Sequence, residues 1–175
     1  MYCDQKTDGG GWVLVWRFTF TDYANFHSKS NAVVPRPNWP TPEANVRVST
    51  KVPLTSNEYE AMDFGLWKSL GKEFLVKSNI NHWIVCRQGT GSLVNFEKGR
   101  ISCRVVKNVP SKCHGVAPYS IDSDKKGLYL KRTGFYYDFE GTTSKYKTAF
   151  DPCGAGTATN YKKGVNNPYG SIFIR

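Results

Sequence analysis

Cys113 and His114 place a thiol directly beside an imidazole, the two groups that could serve as a nucleophile and its base. Neighbours in sequence rarely face one another, so the pair does not by itself indicate catalysis. His82 has no acid or nucleophile at motif spacing, and its default role is structural. Gly154-Ala155-Gly156 is neither preceded by a clear strand nor followed by a helix bearing a lysine, which argues against a phosphate cradle. We therefore predict that the protein is not an enzyme.

Asp122 and Asp124 offer two carboxylates separated by one serine, a pattern that can supply some of the oxygen ligands of calcium. Lys125 and Lys126 follow at once, and their positive charge opposes cation binding. The sequence therefore favours a solvated turn over a metal site. If calcium binds at all, Asp122 and Asp124 are the candidate ligands, and no other cofactor is indicated.

The chain carries a net charge of +10, and most of it lies in the second half. Residues 97–175 hold 14 Lys and Arg against 6 Asp and Glu, whereas residues 1–96 hold 10 against 8. Such a balance suits acidic partners such as sulfated glycans, acidic matrix proteins or anionic surfaces, although a solvated surface is the simpler alternative. The sequence contains no basic run with interleaved aromatic residues, the pattern that would indicate nucleic-acid binding. No apolar run approaches the ~18 residues of a membrane span.

The run of residues 12–19 is apolar on both faces, which predicts an inner strand of a sheet. Strict alternation would place one set of side chains together on a single face: Trp12, Leu14, Trp16 and Phe18. The three glycines that precede this strand predict a tight turn, because glycine adopts positive φ at little cost.

One helix is predicted, over residues 56–70. Thr55 and Glu58 form the pattern of a capping box. Apolar residues then recur at helical spacing, and Gly71 provides a natural stop. Strands are predicted near residues 74–76, 81–87, 93–96, 101–106, 128–130, 134–139 and 170–175. Four prolines within residues 31–42 predict an extended loop that Trp39 pins to the body of the protein.

Residues 2–17, YCDQKTDGGGWVLVWR, resemble the signature of fibrinogen-related domains, the extracellular modules found in fibrinogen, ficolins, tachylectins and intelectins. The resemblance implies a single fibrinogen C-terminal-like domain over residues 1–175 that lacks the upstream strand and first cysteine. It implies an α+β fold with a central, mostly antiparallel twisted sheet, one main helix and long loops tied by disulfides. The acidic calcium run of the family is not found, so the fold carries over better than the ligand.

Five cysteines lack any C-x-x-C spacing, which does not fit a zinc site or a redox motif. Buried free thiols are one alternative, but the resemblance points outside the cell and favours disulfides. We pair Cys86 with Cys103, which lie in neighbouring predicted strands, and Cys113 with Cys153, which would tie two loops together. Four cysteines allow three pairings, and this is one of them. Cys3 is left free or bonded to a separate chain, because the family's partner cysteine lies upstream.

These observations together predict an extracellular, non-catalytic, lectin-like domain that binds glycans or acidic matrix polymers. A structural matrix component without a small ligand is the alternative, and assembly into a homo-oligomer is compatible with either. Loops 110–127 and 141–168 would form the binding face, because a sheet commonly presents ligands on its loops. The candidate ligand-binding residues are Lys125, Lys126, Tyr161, Lys162, Lys163 and Tyr169.

Overall fold

The computed structural model describes residues 1–143, 148–157 and 159–175, which are organised mainly as β-strands. The strands are β1 (Cys3–Asp4), β2 (Trp12–Phe20), β3 (Val33–Val34), β4 (Arg36–Pro37), β5 (Val48–Ser49), β6 (Glu73–Ser78), β7 (Trp83–Gln88), β8 (Gly99–Lys107), β9 (Ser120–Ser123), β10 (Leu128–Lys131), β11 (Phe135–Asp138) and β12 (Gly170–Ile174). The helical elements are α1 (Phe64–Trp67) and 3-10 turns at Thr7–Gly9 and Tyr23–Asn25.

Ten of these strands form one sheet in the order β1-β2-β12-β6-β7-β8-β9-β10-β11, with β3 also pairing β2. All pairings within it are antiparallel. β4 and β5 form a separate parallel pair. The last strand in sequence, β12, lies inside the sheet between β2 and β6, and the predicted inner position of β2 is confirmed.

The prediction of an α+β fold with a main helix over residues 56–70 is wrong. α1 contains only four residues, and it begins after Asp63, whose Oδ1 accepts from the backbone N–H of Gly65 at 2.8 Å. The side chains of the expected capping box do form local bonds: Glu58 Oε2 accepts from the N–H of Leu54 at 3.0 Å. These bonds close a turn, and the residues that follow it, 58–63, are not helical.

The reason for the missing helix lies in the backbone bonds of residues 60–62. The N–H of Met62 donates to the carbonyl of Val15 at 2.7 Å, and the N–H of Arg17 donates to the carbonyl of Glu60 at 2.9 Å. This segment therefore extends along β2 and completes its hydrogen bonding. Tertiary pairing thus overrides a helical spacing of apolar residues, which is a weak preference by itself.

A β-bulge in β2 corrects the predicted arrangement of its side chains. Ile172 of β12 pairs with Trp16, but the next residue, Phe173, pairs with Leu14, so Val15 is an extra residue. The bulge reverses the alternation. Trp12 and Leu14 consequently pack on one face of the sheet in a small cluster, whereas Val15, Trp16 and Phe18 pack in the main core on the other face.

The main core is dominated by aromatic rings around Trp16. Its ring centroid lies 4.6 Å from that of Phe18, 5.2 Å from that of Trp39 and 5.5 Å from that of Phe139. The indole N–H of Trp16 donates to the carbonyl of Pro35 at 2.8 Å. Trp39 is 3 % exposed, which confirms that it pins the proline-rich loop to the core.

The predicted glycine turn before β2 is also confirmed. Gly9, Gly10 and Gly11 all have positive φ, from 76° to 84°. The guanidinium of Arg175 donates to the carbonyls of Asp8 and Gly10 at 2.7 and 2.9 Å, so the end of the described chain holds this turn in place.

Two carboxyl groups are buried side by side near the β9–β10 turn. Asp138 and Glu140 are 4 % and 5 % exposed, and Glu140 Oε1 is a buried atom without a hydrogen-bond partner. Burial, reinforced by the charge of Asp124, raises the pKa of Glu140 to about 7, although Lys126 opposes the shift. Burial and the charge of Glu140 raise the pKa of Asp138 well above its usual value.

Replacing Glu140 with glutamine is expected to stabilise the protein at pH 8 but not at pH 4. Above pH 4.5, the usual pKa of this carboxyl, the unfolded chain loses the Glu140 proton while the folded chain retains it up to about pH 7. Folding therefore becomes less favourable across that window, by about 3 kcal/mol. Urea melts of Glu140→Gln at both pH values test this, with the exposed Glu97→Gln as control. An equal effect of Glu140→Gln at pH 4 and pH 8 would contradict the assignment.

Candidate functional site

The sequence-predicted ligand residues fall into three separate places in the structure. Tyr161, Lys162 and Lys163 line one groove together. Lys125 and Lys126 lie in the turn between β9 and β10, and Tyr169 lies immediately before β12. Neither of these other sets lines the groove, so the structure brings together only half of the predicted residues.

The groove, called the loop groove below, lies between residues 109–112 and residues 159–163 and has a volume of about 420 Å³. Its charged lining residues are Lys112, Lys162 and Lys163, all exposed, with no acidic residue among the described lining. Ser111, Thr159 and Asn160 add hydroxyl and amide groups. The lining thus combines positive charge with neutral hydrogen-bonding groups, which suits an oxygen-rich anionic ligand.

The Cys113–Cys153 disulfide links the residue after the first segment of the loop groove to the loop that leads into the second segment. It links residues 40 apart in sequence, with their Cα atoms 5.2 Å apart. The second disulfide, Cys86–Cys103, joins directly opposed residues of β7 and β8. Both predicted pairings are confirmed, and Cys3 is a free, exposed cysteine in β1.

Asp151 fixes the second segment of the loop groove from within. This carboxylate is fully buried. Its Oδ1 accepts from the N–H of Cys153 at 3.0 Å and from the amide of Asn160 at 3.1 Å. Its Oδ2 accepts from the N–H groups of Ala155 and Thr157, both at 3.0 Å. One buried carboxylate therefore holds the backbone of residues 153–157 and the side chain of Asn160.

His82 fixes the first segment of the loop groove. Its Nδ1 accepts from the N–H of Val109 at 3.0 Å, so the ring proton must reside on Nε2. Nε2 lies 3.1 Å from the carbonyls of both Lys112 and Cys113 and donates to them. Burial lowers the pKa of His82, which favours this neutral form. The predicted structural role of His82 is thus confirmed, and the role is to hold the loop.

Tyr161 forms the aromatic part of the loop groove and rests on the core. Its ring centroid is 4.3 Å from that of Phe26, and burial raises its pKa. The hydroxyl of Tyr23 donates to the carbonyl of Lys162 at 2.8 Å, which fixes the backbone beyond it. Lys163 Nζ lies 6.0 Å from the Tyr161 ring centroid. The ring is therefore held in one position at the edge of the groove.

Replacing His82 with alanine is expected to lower the free energy of unfolding by about 2–4 kcal/mol, because one N–H and two carbonyl groups lose their partner. The stability of the native protein should also fall as pH drops below 6.5, the ordinary pKa of His, since only the unfolded chain then takes up the proton readily.

Urea melts of His82→Ala and the native protein at pH 7 and pH 5 test both statements. The control is His114→Ala, an exposed imidazole whose Nε2 lies 3.2 Å from the carbonyl of Pro110. The variant His82→Ala should lose less stability between the two pH values than the native protein does. Equal stabilities of the two alanine variants would contradict the role given to His82.

Lys125 and Lys126 have local acidic neighbours. Lys125 is exposed, and its Nζ lies 3.9 Å from Glu43 Oε1. Lys126 is 6 % exposed, and its Nζ donates to Asp124 Oδ2 at 3.1 Å. The structure therefore gives Lys126 a buried position inside the protein, where it is poorly placed to steer a ligand from solution.

The two candidate calcium ligands are engaged by groups of the protein itself. Asp122 Oδ1 lies 3.2 Å from Lys98 Nζ and accepts from the N–H of Ser123. Asp124 Oδ1 accepts from the N–H groups of Lys126 and Gly127. Across residues 1–143, 148–157 and 159–175, no group of three or more His, Cys, Asp and Glu side chains is arranged to hold a metal ion.

Tyr136, Tyr137 and the predicted ligand residue Tyr169 have partners within the protein. Tyr136 and Tyr137 are fully buried, and their hydroxyl groups donate to the carbonyls of Val116 and His82. The Tyr169 ring is half-buried, with the Arg17 guanidinium carbon 3.8 Å from its centroid. Tyr161, by contrast, lines the loop groove.

Comparison with protein families, with curated proteins and with solved structures finds no match to this chain. The geometry of the chain's own residues is therefore the basis for assigning a function. In the part of the chain that the structure describes, no helix is both long and apolar enough to cross a bilayer.

Sequence reasoning did not single out Ser111, Lys112, Thr159 and Asn160 as site residues. The paired cysteines were the available signal, because a bond between Cys113 and Cys153 brings the loop around residue 112 next to the loop around residue 160. Lys112 is adjacent to the first of these cysteines. Lys112 can therefore be grouped with Lys162 and Lys163 only when this disulfide is known.

Proposed function

We propose that the protein is an extracellular, non-catalytic recognition domain whose loop groove binds an anionic glycan or an acidic matrix polymer. The observation that carries this proposal is the convergence of Lys112, Lys162 and Lys163 with half-buried Tyr161 around one groove. The described lining contains no carboxylate to neutralise these charges. Lysine ammonium groups attract sulfate and carboxylate, and a tyrosine ring can support a sugar.

The fixed geometry of the loop groove supports a role in recognition. A disulfide, a buried carboxylate and a buried imidazole each hold one part of its walls. A surface that is ordered before binding loses less entropy when the ligand arrives.

The extracellular setting is part of the same proposal. Two disulfides are compatible with an oxidising compartment. The resemblance of residues 2–17 to fibrinogen-related domains supports both the setting and the lectin-like role, and we propose membership of that group on those residues.

A structural matrix component is the second candidate, and Cys3 is the observation that favours it. Cys3 is exposed and free in β1. An accessible thiol of this kind can form a disulfide with another chain or with a second copy of the protein. The two candidates differ in whether the isolated protein binds a glycan.

A glycan array that holds sulfated, carboxylated and neutral sugars, probed with and without a chelator, tests the proposed function. We expect binding to the anionic sugars in both conditions. Loss of binding with the chelator would show that a divalent cation belongs to the site. Failure to bind any sugar would favour the structural candidate.

A further inference from the structure

A second basic groove, called the sheet-face groove below, lies on the sheet where β8, β9 and β10 adjoin. It has a volume of about 640 Å³. It is lined by residues 98–100, 119–122 and 131–133, which include four cations: Lys98, Arg100, Lys131 and Arg132. None of these residues belongs to the site described above.

The strand register places the polar side chains of this groove on one face. Arg100 of β8 pairs with Ser120 of β9, and Ser120 pairs with Lys131 of β10. Laterally paired residues point to the same side of a sheet, so these three side chains form one row. The next row contains Ile121 and Leu130, which are buried. The row from Arg100 to Lys131 therefore faces solvent, and two strand spacings set its ends about 10 Å apart.

Tyr119 positions the two guanidinium groups of the groove. The guanidinium carbons of Arg100 and Arg132 lie 5.3 and 5.7 Å from its ring centroid. Arg132 also donates to the carbonyl of Ala117 at 2.9 Å. Both guanidinium groups therefore make cation–π contacts with the same exposed ring.

The positive charge of the groove is only partly neutralised. Lys98 pairs with Asp122 at 3.2 Å. Within the described ranges, no carboxylate forms an ion pair with Arg100, Lys131 or Arg132. An oxyanion that reaches either guanidinium group would accept N–H bonds from it.

We propose that the sheet-face groove binds a sulfated polysaccharide, with sulfate groups at Arg100 and Arg132 and at Lys131. This inference rests on the proposed function and names the ligand class and a second binding surface. Cations spread over about 10 Å along a row suit a polymer that carries repeated oxyanions. The arginines favour sulfate, whose oxygen atoms can accept two N–H bonds from one guanidinium.

Other polyanions fit the groove less well. The Tyr119 ring already contacts two guanidinium groups, so it is poorly available for stacking against a nucleic-acid base. Ile121, which lines the groove, is 2 % exposed, and the groove offers no apolar pocket for the anchor residue of an acidic peptide.

The test measures heparin affinity as a function of salt for three proteins: the native protein, the double variant Arg100→Gln with Lys131→Gln, and a control double variant, Lys68→Gln with Lys72→Gln. The control removes the same charge from exposed lysines outside both grooves. We expect the sheet-face variant to bind about tenfold more weakly at physiological salt, with the slope of log affinity against log salt reduced by about 2. Arg132→Gln should act in the same direction, and desulfated heparin should lose most of the effect.

The outcomes separate this inference from the proposed function. If native protein does not bind heparin at low salt, the sheet-face assignment is wrong, and the proposed function is wrong as well only if the carboxylated sugars of the glycan array also fail to bind. If it binds, and the sheet-face variants match the control while Lys162→Gln with Lys163→Gln weakens binding, only the sheet-face groove is wrong. Equal affinity for single-stranded DNA and heparin would also overturn the assignment of sulfated polysaccharide as its ligand. Thermal melts of each variant check that the fold is retained.

Discussion

Replacement of both Cys113 and Cys153 by serine is expected to lower the free energy of unfolding by about 4 kcal/mol and to weaken ligand binding at the loop groove. The bond closes a segment of 40 residues, and a cross-link of that span stabilises mainly by restricting the unfolded chain. The same change releases the residues around Lys112 from those around Asn160, so the groove should lose its shape before the rest of the domain unfolds.

Urea melts and heparin affinity of the same protein check the two parts of this prediction. Replacing Cys86 and Cys103 by serine is the matched control. That bond spans 17 residues within the sheet, so we expect a loss of about 3 kcal/mol and unchanged binding by the folded protein. If both double variants retain full heparin affinity, the loop groove is not the ligand site.

Replacement of Asp151 by alanine is expected to cost about 3–5 kcal/mol. Three backbone N–H groups and the amide of Asn160 lose the shared acceptor that the fully buried Asp151 side chain provides. Each unpartnered donor costs about 1–3 kcal/mol unless water reaches it, so the loop should rearrange to expose some of them. Urea melts measure the loss, and hydrogen exchange at residues 153–160 should report the local opening.

Asp22→Ala is the control for that prediction. Asp22 also organises a loop, accepting from the N–H of Asn25 and from the hydroxyl of Ser30, but this loop is open to water. Its removal should cause a much smaller loss. A loss for Asp151→Ala no greater than for Asp22→Ala would show that the buried carboxylate does not hold the groove.

The strands and disulfides were largely predictable from sequence because their signals are local. Cys86 and Cys103 lie in neighbouring apolar runs, and in the sheet they are directly opposed. Residues 12–19 read as an inner strand, and they form β2. The predicted strand at residues 93–96 was wrong, and the chain turns there. A short apolar run has the same sequence pattern whether it forms a buried turn or a buried strand.

The errors arose where tertiary contacts decide the outcome. Val15 and Trp16 are both apolar, so the bulge between them leaves no trace in the hydrophobic pattern. Tyr59 and Met62 begin a helical spacing, but residues 60–62 are hydrogen-bonded to β2. An isolated stretch of sequence cannot reveal that a neighbouring strand needs a partner.

The residues of the candidate site also divide into those with a local sequence signal and those that depend on long-range contacts. Tyr161, Lys162 and Lys163 were found because they are consecutive and basic. Lys112 required the disulfide, and the row of Arg100, Ser120 and Lys131 required the strand register. Residues that lie far apart in sequence can be assembled into one surface only when the pairing of their strands is known.

The most direct test of the central claim is the affinity of the protein for heparin between 50 and 200 mM salt, with and without Lys162→Glu and Lys163→Glu. We assume that Lys112, Lys162 and Lys163 release counterions from heparin to the same extent as lysines do from double-stranded DNA. The affinity of the native protein for heparin should then fall roughly 40-fold across that range. The double charge reversal should weaken binding further, by about tenfold at the lower salt. An affinity that does not change with salt, or a protein that ignores sulfated and neutral glycans alike, would contradict the account and favour a structural matrix role.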